Sequence, residues 1–306
     1  QPLSKMGADF SQKGTNHLPL IINGRSDLKP IEYVLPVASA QVKSAILLAG
    51  FCAKVPVTVK EPVACRDHTE RLLPIFKAHD FDKQPLQLSL PGDISSAAFF
   101  VVLALALPNS CLQIVDVGLN PLRTGFIQVL KDMGATIQVK DERTVSGEPI
   151  GTLEIQSSSL KGIDVERTIV PSAIDEFPVL FIAAAIAQGV TRFRGLQELR
   201  VKETDRISAM AQGLVDLGIK VTEYDDGLDI YGGYFQGGEV DSQGDHRVAM
   251  AFTIAGLLSQ QGICVDNTDC ISTSFPNFVR ILQNLSFCIM ESVRDARRVS
   301  NPSCHH

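Results

Sequence analysis

Four stretches of this chain are rich in Ala and Leu and apolar almost all the way round. The first runs from Ser39-Ala40-Gln41 to Gly50, the second from Ser95-Ser96 to Leu107, the third from Asp175-Glu176 to Gly189 and the fourth from Asp245-His246-Arg247 to Leu258. Each opens on Ser or Asp, the residues that best cap a helix N-terminus. Pro178 falls within the first turn of the third, where proline is tolerated. A helix with no polar face must be surrounded by other elements. The chain must therefore supply four separate coverings for four buried helices.

Between these stretches lie amphipathic ones of another kind. Lys5-Met6-Gly7-Ala8, Asp132-Met133-Gly134-Ala135 and Asp216-Leu217-Gly218-Ile219 each end one, with weaker versions at Lys77-Ala78-His79-Asp80 and Gln283-Asn284-Leu285-Ser286. Phe126, Ile127, Val129 and Leu130 form one apolar face, and Leu72, Leu73, Ile75 and Phe76 another. A glycine at the helix end permits a left-handed turn into an extended run such as Thr136–Val139 or Lys220–Thr222. The repeating unit is strand, buried helix, strand, surface helix, strand. Successive buried-helix openings are 56, 80 and 70 residues apart, so this is a repeated α/β unit and not a thin solenoid. Leu90-Pro91-Gly92-Asp93 breaks the pattern and is expected to be a hinge centred on Asp93. The expected division is residues 1–91, residues 92–290 and an unassigned tail, 291–306.

Composition narrows the function. Of 306 residues, 45% are hydrophobic and 20% charged, with a formal net charge of −6. That balance fits a globular enzyme and supplies no basic face for nucleic acid. The longest apolar run, Ala97–Leu107, falls short of the ~20 residues that span a bilayer. Seven cysteines are scattered without a Cys-x-x-Cys pair or a metal-ligand spacing, so no metal is expected, and reduced thiols in a cytoplasmic setting fit best. The expected partners are small molecules, with neither nucleic acid nor membrane.

The chemistry is expected at the helix N-termini, whose unpaired N–H groups favour anions. Polar residues collect there: Ser39, Gln41 and Lys43; Asp93, Ser95 and Ser96; Asp175 and Glu176; Asp245, His246 and Arg247. The surface helices add Arg66-Asp67-His68 and Lys202-Glu203-Thr204-Asp205-Arg206. Taken singly, each is an ordinary cap or first-turn charge. Their recurrence at the same slot beside apolar helices points to one anion-binding cleft. There is no Walker-type phosphate loop, because Gly232-Gly233 and Gly237-Gly238 lack the Lys-Ser/Thr that it needs, and there is no Gly-x-Ser-x-Gly elbow.

Five motifs in order carry a resemblance: Ser39-Ala40-Gln41-Val42-Lys43-Ser44-Ala45, Arg66-Asp67-His68-Thr69-Glu70, Pro91-Gly92-Asp93-Ile94-Ser95-Ser96-Ala97, Leu199–Arg206, and Gly244–Met250. The chain resembles the 5-enolpyruvylshikimate-3-phosphate synthase family from residue 1 to about residue 290. The Ser-Ala-Gln and Arg-Asp-His-Thr-Glu wording is similar to the bacterial subgroup noted for glyphosate tolerance. The resemblance implies an α/β fold of two domains, each built from βαβαββ units around a pseudo-threefold axis. The first unit would be missing, so that Gln1 falls inside a helix. It also implies a monomer when complete, no cofactor, and transfer of the enolpyruvyl group of phosphoenolpyruvate to the 5-hydroxyl of shikimate 3-phosphate, in aromatic amino-acid biosynthesis.

Carried over by motif, Asp175 would be the base at the 5-hydroxyl, Lys202 would share the proton transfer and Glu203 would protonate the methylene carbon, with His246 beside them. Ser39, Ala40, Gln41, Arg66, Asp175 and Lys202 would hold shikimate 3-phosphate. Gln41, Arg206 and Arg247 would hold phosphoenolpyruvate. Ser274 stands before Phe275-Pro276 where some members carry a lysine. The family's upstream cations are not in the chain, and by this reading the 306 residues alone lack turnover. Two alternatives stand beside it: transfer to UDP-N-acetylglucosamine, and an inactive fragment that still binds shikimate 3-phosphate weakly.

Overall fold

The computed structural model describes residues 1–12, 20–80 and 83–285. The tail from 291 to 306, and the last residues of the expected 92–290 division, lie outside the described residues.

The chain opens with a short helix α1 (Pro2–Lys5), which ends at Gly7 with φ +100°, followed by the hairpin strands β1 (Asp9–Gln12) and β2 (Leu20–Asn23). Then come β3 (Ile31–Val34), α2 (Ala40–Ala53), β4 (Val57–Lys60) and α3 (His68–Ala78). The strands β3 and β4 pair in parallel, with Tyr33 opposite Val59, and α2 is the crossover between them.

Beyond Leu90 the same pattern recurs. The segment at Gly92 leads into α4 (Ile94–Ala106) and β5 (Cys111–Gly118), then α5 (Gly125–Asp132), β6 (Thr136–Val145) and β7 (Glu148–Gln156). Gly92 bridges in parallel to Val117 on β5, and β5-β7-β6 form an antiparallel sheet. Residues 161–164 lead into α6 (Phe177–Ile186), β8 (Val190–Phe193), α7 (Arg206–Asp216), β9 (Lys220–Tyr224) and β10 (Gly227–Tyr231). Asp164 bridges in parallel to Arg192 on β8, and the sheet order is β8-β10-β9. A third turn of the pattern gives β11 (Gly238–Asp241), α8 (His246–Leu258) and the parallel β12 (Ile263–Asp266). Each Ala-rich helix is thus the crossover of one parallel pairing, the usual use of a helix between parallel strands. Gly134 and Gly218 take φ +97° and +80° at the ends of α5 and α7, as their caps require.

The helices α4, α6 and α8 pack against one another. Their side chains make one continuous core from Ile94 to Leu282. Phe177, Phe181 and Phe193 meet edge-on or tilted there, with centroids 4.9–6.0 Å apart. A second, smaller core gathers Met6, Tyr33, Leu35 and Ile46.

The expectation of four equally buried helices fails at the first. In α2 only Lys43, Ile46 and Gly50 are buried, whereas nearly every residue of α6 is. The reason is packing: α4, α6 and α8 cover each other, while α2 has α1, β4 and α3 as its main neighbours. Asp175 is also not a helix cap. It lies in a 3-10 turn (Ile174–Glu176), and the residue before α6 is Glu176, whose side chain caps nothing. The carboxylate of Asp175 is therefore free to face other groups.

Candidate active site

The side-chain caps of the Ala-rich helices are Ser39, Asp93 and Asp245. Ser39 Oγ accepts from Val42 N at 3.3 Å. Asp93, expected at a hinge, accepts from Ser95 N and Ser96 N at 3.3 and 3.0 Å. Asp245 Oδ1 accepts from Arg247 N at 2.8 Å and Val248 N at 3.2 Å. The starts of α4, α6 and α8 lie side by side: the Ser95 hydroxyl donates to Glu176, and Arg247 Nη1 donates to the Asp175 carbonyl at 2.8 Å. Three helix N-termini with their partial positive charge meet in one place.

Asp175 is the centre of the arrangement. Arg66 Nη1 lies 3.4 Å from its Oδ2, while Lys202 Nζ and Arg206 Nη1 lie 3.7 and 3.8 Å from its Oδ1. Burial pushes this carboxyl up, but the charges of Arg247, Arg66, Lys202 and Arg206 together hold it below its ordinary value. Its neighbour Glu176 goes the other way. It is 3% exposed, and burial raises its proton affinity although Arg247 Nη1 stands 4.0 Å away. Two adjacent carboxyls are thus pushed in opposite directions by their surroundings, a mark of functional sites.

Arg206 is 1% exposed, with Nε on Asp245 Oδ2 at 2.7 Å and Nη2 on Glu203 Oε2 at 2.6 Å. Glu203 is half-exposed, so its carboxylate can be reached from solvent. Lys202 Nζ is held by Glu198 Oε1 at 2.6 Å. His246 sits at the start of α8, half-buried, and burial together with the charge of Arg247 lowers its proton affinity.

The structure therefore brings together Asp175, Lys202, Glu203, Arg206, Arg247 and Arg66. Among the described residues no hydrogen bond joins this cluster to Ser39, Ala40 or Gln41, which stand at the start of α2 with Gln41 exposed. Among the described residues no group of three or more His, Cys, Asp or Glu could hold a metal. Sequence reasoning missed Arg123. Its guanidinium donates to the Ser95 hydroxyl and lies 3.4 Å from Asp93 Oδ1. It stands between β5 and α5, the slot that Arg66 takes between β4 and α3, so the repeat itself held the signal.

Residues 1–282 match the family described as EPSP synthase (3-phosphoshikimate 1-carboxyvinyltransferase). The chain belongs to the EPSP synthase family. A 3-phosphoshikimate 1-carboxyvinyltransferase of Legionella pneumophila is 48% identical over 303 residues, covering 95% of this chain and 70% of that one. One of Pelobacter propionicus is 49% identical over 297 residues, covering 92% and 69%. Among solved structures, an EPSP synthase of Acinetobacter baumannii superposes with TM-score 0.82 at 44% identity, over 92% of this chain and 68% of that one. The enolpyruvyl transferase NikO of Streptomyces tendae shares the fold alone, with TM-score 0.52 at 15% identity, over 93% of this chain and 51% of that one. The α/β architecture of an EPSP synthase is thus seen both in the repeat and in these neighbours.

Proposed function

We propose, against the expectation that the 306 residues alone lack turnover, that this chain carries out the reaction its family is named for, with Asp175 at the centre of the chemistry. The enolpyruvyl group of phosphoenolpyruvate passes to the 5-hydroxyl of shikimate 3-phosphate and phosphate leaves, a step of aromatic amino-acid biosynthesis. Transfer to UDP-N-acetylglucosamine is not favoured, since the relatives described above are 3-phosphoshikimate 1-carboxyvinyltransferases.

One observation carries the assignment of roles. A largely buried carboxylate, Asp175, is shared by Arg66, Lys202 and Arg206, with Arg247 bonded to its own carbonyl. Both substrates are anionic, and those cations are what would receive them. In the resting site the same cations make Asp175 a weak base. A bound phosphate and carboxylate neutralise them, so the carboxylate regains proton affinity once substrate is in place. Asp175 then accepts the 5-hydroxyl proton, with Lys202 steadying the developing charge.

Glu203, at the cleft edge, delivers a proton to the methylene carbon and later takes one back. Its 2.6 Å contact with Arg206 keeps it aimed. Arg206 and Arg247 hold phosphoenolpyruvate, with His246 beside them. Ser39, Ala40, Gln41 and Arg66 hold shikimate 3-phosphate, and Gln41 also reaches phosphoenolpyruvate. Residues 1–91 and 92–290 would be the two domains that close on the substrates, with the hinge at Asp93. The protein would act as a monomer in the cytoplasm. Its five described cysteines are free thiols, and no described helix is long and apolar enough to cross a membrane.

The test measures shikimate 3-phosphate binding by calorimetry, and phosphate release when phosphoenolpyruvate is added. Lys202→Met and Asp175→Ala should each lower turnover by about two orders of magnitude or more. Rates near those of the parent would refute the roles given to these two residues. No binding of shikimate 3-phosphate by the parent would refute the reading as a whole.

A further inference from the structure

Asn120 is 2% exposed and follows β5, at the boundary between the two parts of the chain. A buried amide is costly unless its bonding groups are satisfied. Here both Nδ2 bonds go to carboxylates, to Asp67 Oδ1 at 2.6 Å and to Glu148 Oε2 at 3.2 Å. Its Oδ1 accepts from Leu122 N at 2.9 Å, and its carbonyl accepts from Arg123 N at 2.8 Å.

These partners define what Asn120 joins. Asp67 directly follows Arg66, and Leu122 directly precedes Arg123. One side chain therefore ties the segment bearing Arg66, which reaches Asp175 from the first part, to the turn bearing Arg123, which reaches Ser95 and Asp93 in the second. The surroundings reinforce the tie. Arg71 Nε donates to Asp67 Oδ1 at 2.9 Å and lies 3.9 Å from Glu148 Oε2, and His68 Nδ1 lies 2.6 Å from Glu148 Oε1. An aspartate at 120 could not replace the asparagine, because three carboxylates would then face one another.

Building on the function proposed above, we propose that Asn120 is a positioning residue for shikimate 3-phosphate: it holds the Arg66 segment in register with the Arg123 turn across the boundary. It touches no substrate. Its effect reaches the substrate through Arg66, whose guanidinium must stand on the anionic side of the ligand while its neighbour Asp67 is anchored.

The experiment compares the parent with Asn120→Asp and with the exchange Asp67→Asn/Glu148→Gln/Asn120→Asp. The single change keeps an oxygen for Leu122 N but turns the donor toward Asp67 and Glu148 into an acceptor. The exchange swaps donor and acceptor across both contacts. Shikimate 3-phosphate affinity is read by calorimetry. Looseness of the Arg66 segment is read separately, by alkylation of the neighbouring Cys65, which is buried and bonded to Glu61, against the exposed Cys111 as reference.

Asn120→Asp should weaken binding about tenfold or more and speed Cys65 alkylation by a similar factor, and the exchange should recover most of both. If Asn120→Asp does not fold, Asp67→Ala removes the contact from its more exposed side and should show the same two losses. Parent-like affinity in a folded single variant overturns the proposal, and so does an exchange that recovers nothing. If the parent itself binds no shikimate 3-phosphate, the reading of function falls, and Cys65 alkylation alone decides whether Asn120 holds the segment.

Discussion

Asp245 makes the sharpest claim on stability. Its side chain is fully buried and serves two structures at once. Oδ1 caps α8 through Arg247 N and Val248 N, and Oδ2 takes Arg206 Nε at 2.7 Å. Arg206 is itself 1% exposed, so removing this partner leaves its Nε without an acceptor and with little water to turn to, while Nη2 keeps Glu203. Breaking a buried pair by deleting one member costs about 3–5 kcal/mol, and losing an aspartate cap costs about 1. Asp245→Ala should therefore cost about 4–6 kcal/mol, a large share of the ~5–15 that a protein has. Asparagine caps a helix as well as aspartate does but carries no charge. Asp245→Asn should then lose only the ionic part, about 3 kcal/mol. Urea unfolding followed by circular dichroism separates the two. A cost below about 1 kcal/mol for Asp245→Ala, or equal costs for both, would refute the reasoning.

The neighbouring carboxyl gives a pH signature of the opposite kind. Glu176 holds its proton above the ordinary 4.5 because it is buried, so folding favours the protonated form, and stability falls as pH rises from that value through the raised one. Glu176→Gln should remove this loss: relative to the parent it gains stability as pH rises above 4.5, and a difference that stays flat as pH rises counts against the burial argument. His246 is held below its ordinary 6.5, so the folded state prefers it neutral and stability climbs as pH rises through the window under that value. His246→Gln should flatten that climb in the same denaturation series, and an unchanged slope would show that the ring is not desolvated as described. Gly232 faces a backbone wall, since an added Cβ would stand 1.5 Å from the Ala187 carbonyl oxygen. Gly232→Ala should therefore cost more than about 2 kcal/mol, and a near-neutral substitution would show that the backbone yields.

Much of the fold was legible because the buried helices broke the ordinary rule of amphipathicity. An all-apolar run such as Val179–Ala185 permits only one environment, and the structure gives it that environment. The glycine ends at Gly134 and Gly218 were equally plain, because only a left-handed residue turns the chain there. What sequence could not show was the difference between α2 and its three counterparts, since composition records the need for burial and not the neighbours available. Asp175 misled for a related reason. An aspartate before an apolar run reads as a cap, yet a 3-10 turn places Glu176 last before the helix and turns Asp175 toward the cations. Asn120 gave no signal at all, because its partners come from sequence separations of 53 and 28 residues.

The repeat also explains how a chain of net charge −6 can hold two anionic substrates. A cation stands just before each of three surface helices or at its first residue: Arg66 before α3, Arg123 before α5, and Lys202 with Arg206 at α7. The crossover helices α4, α6 and α8 bring their positive ends to the same place. One slot repeated around an axis thus concentrates positive charge locally while the surface elsewhere stays acidic. The arrangement carries its own cost, because clustered cations repel. The buried carboxylates of Asp175 and Asp245 sit among them and offset that repulsion, so each is bound to the site's stability as well as to its chemistry. If this holds, Arg123→Ala should raise the proton affinity of Glu176 further, since Arg123 is among the charges that lower it. Carbon-13 NMR of the Glu176 carboxyl would follow the shift, and movement to a lower pH would contradict the charge balance.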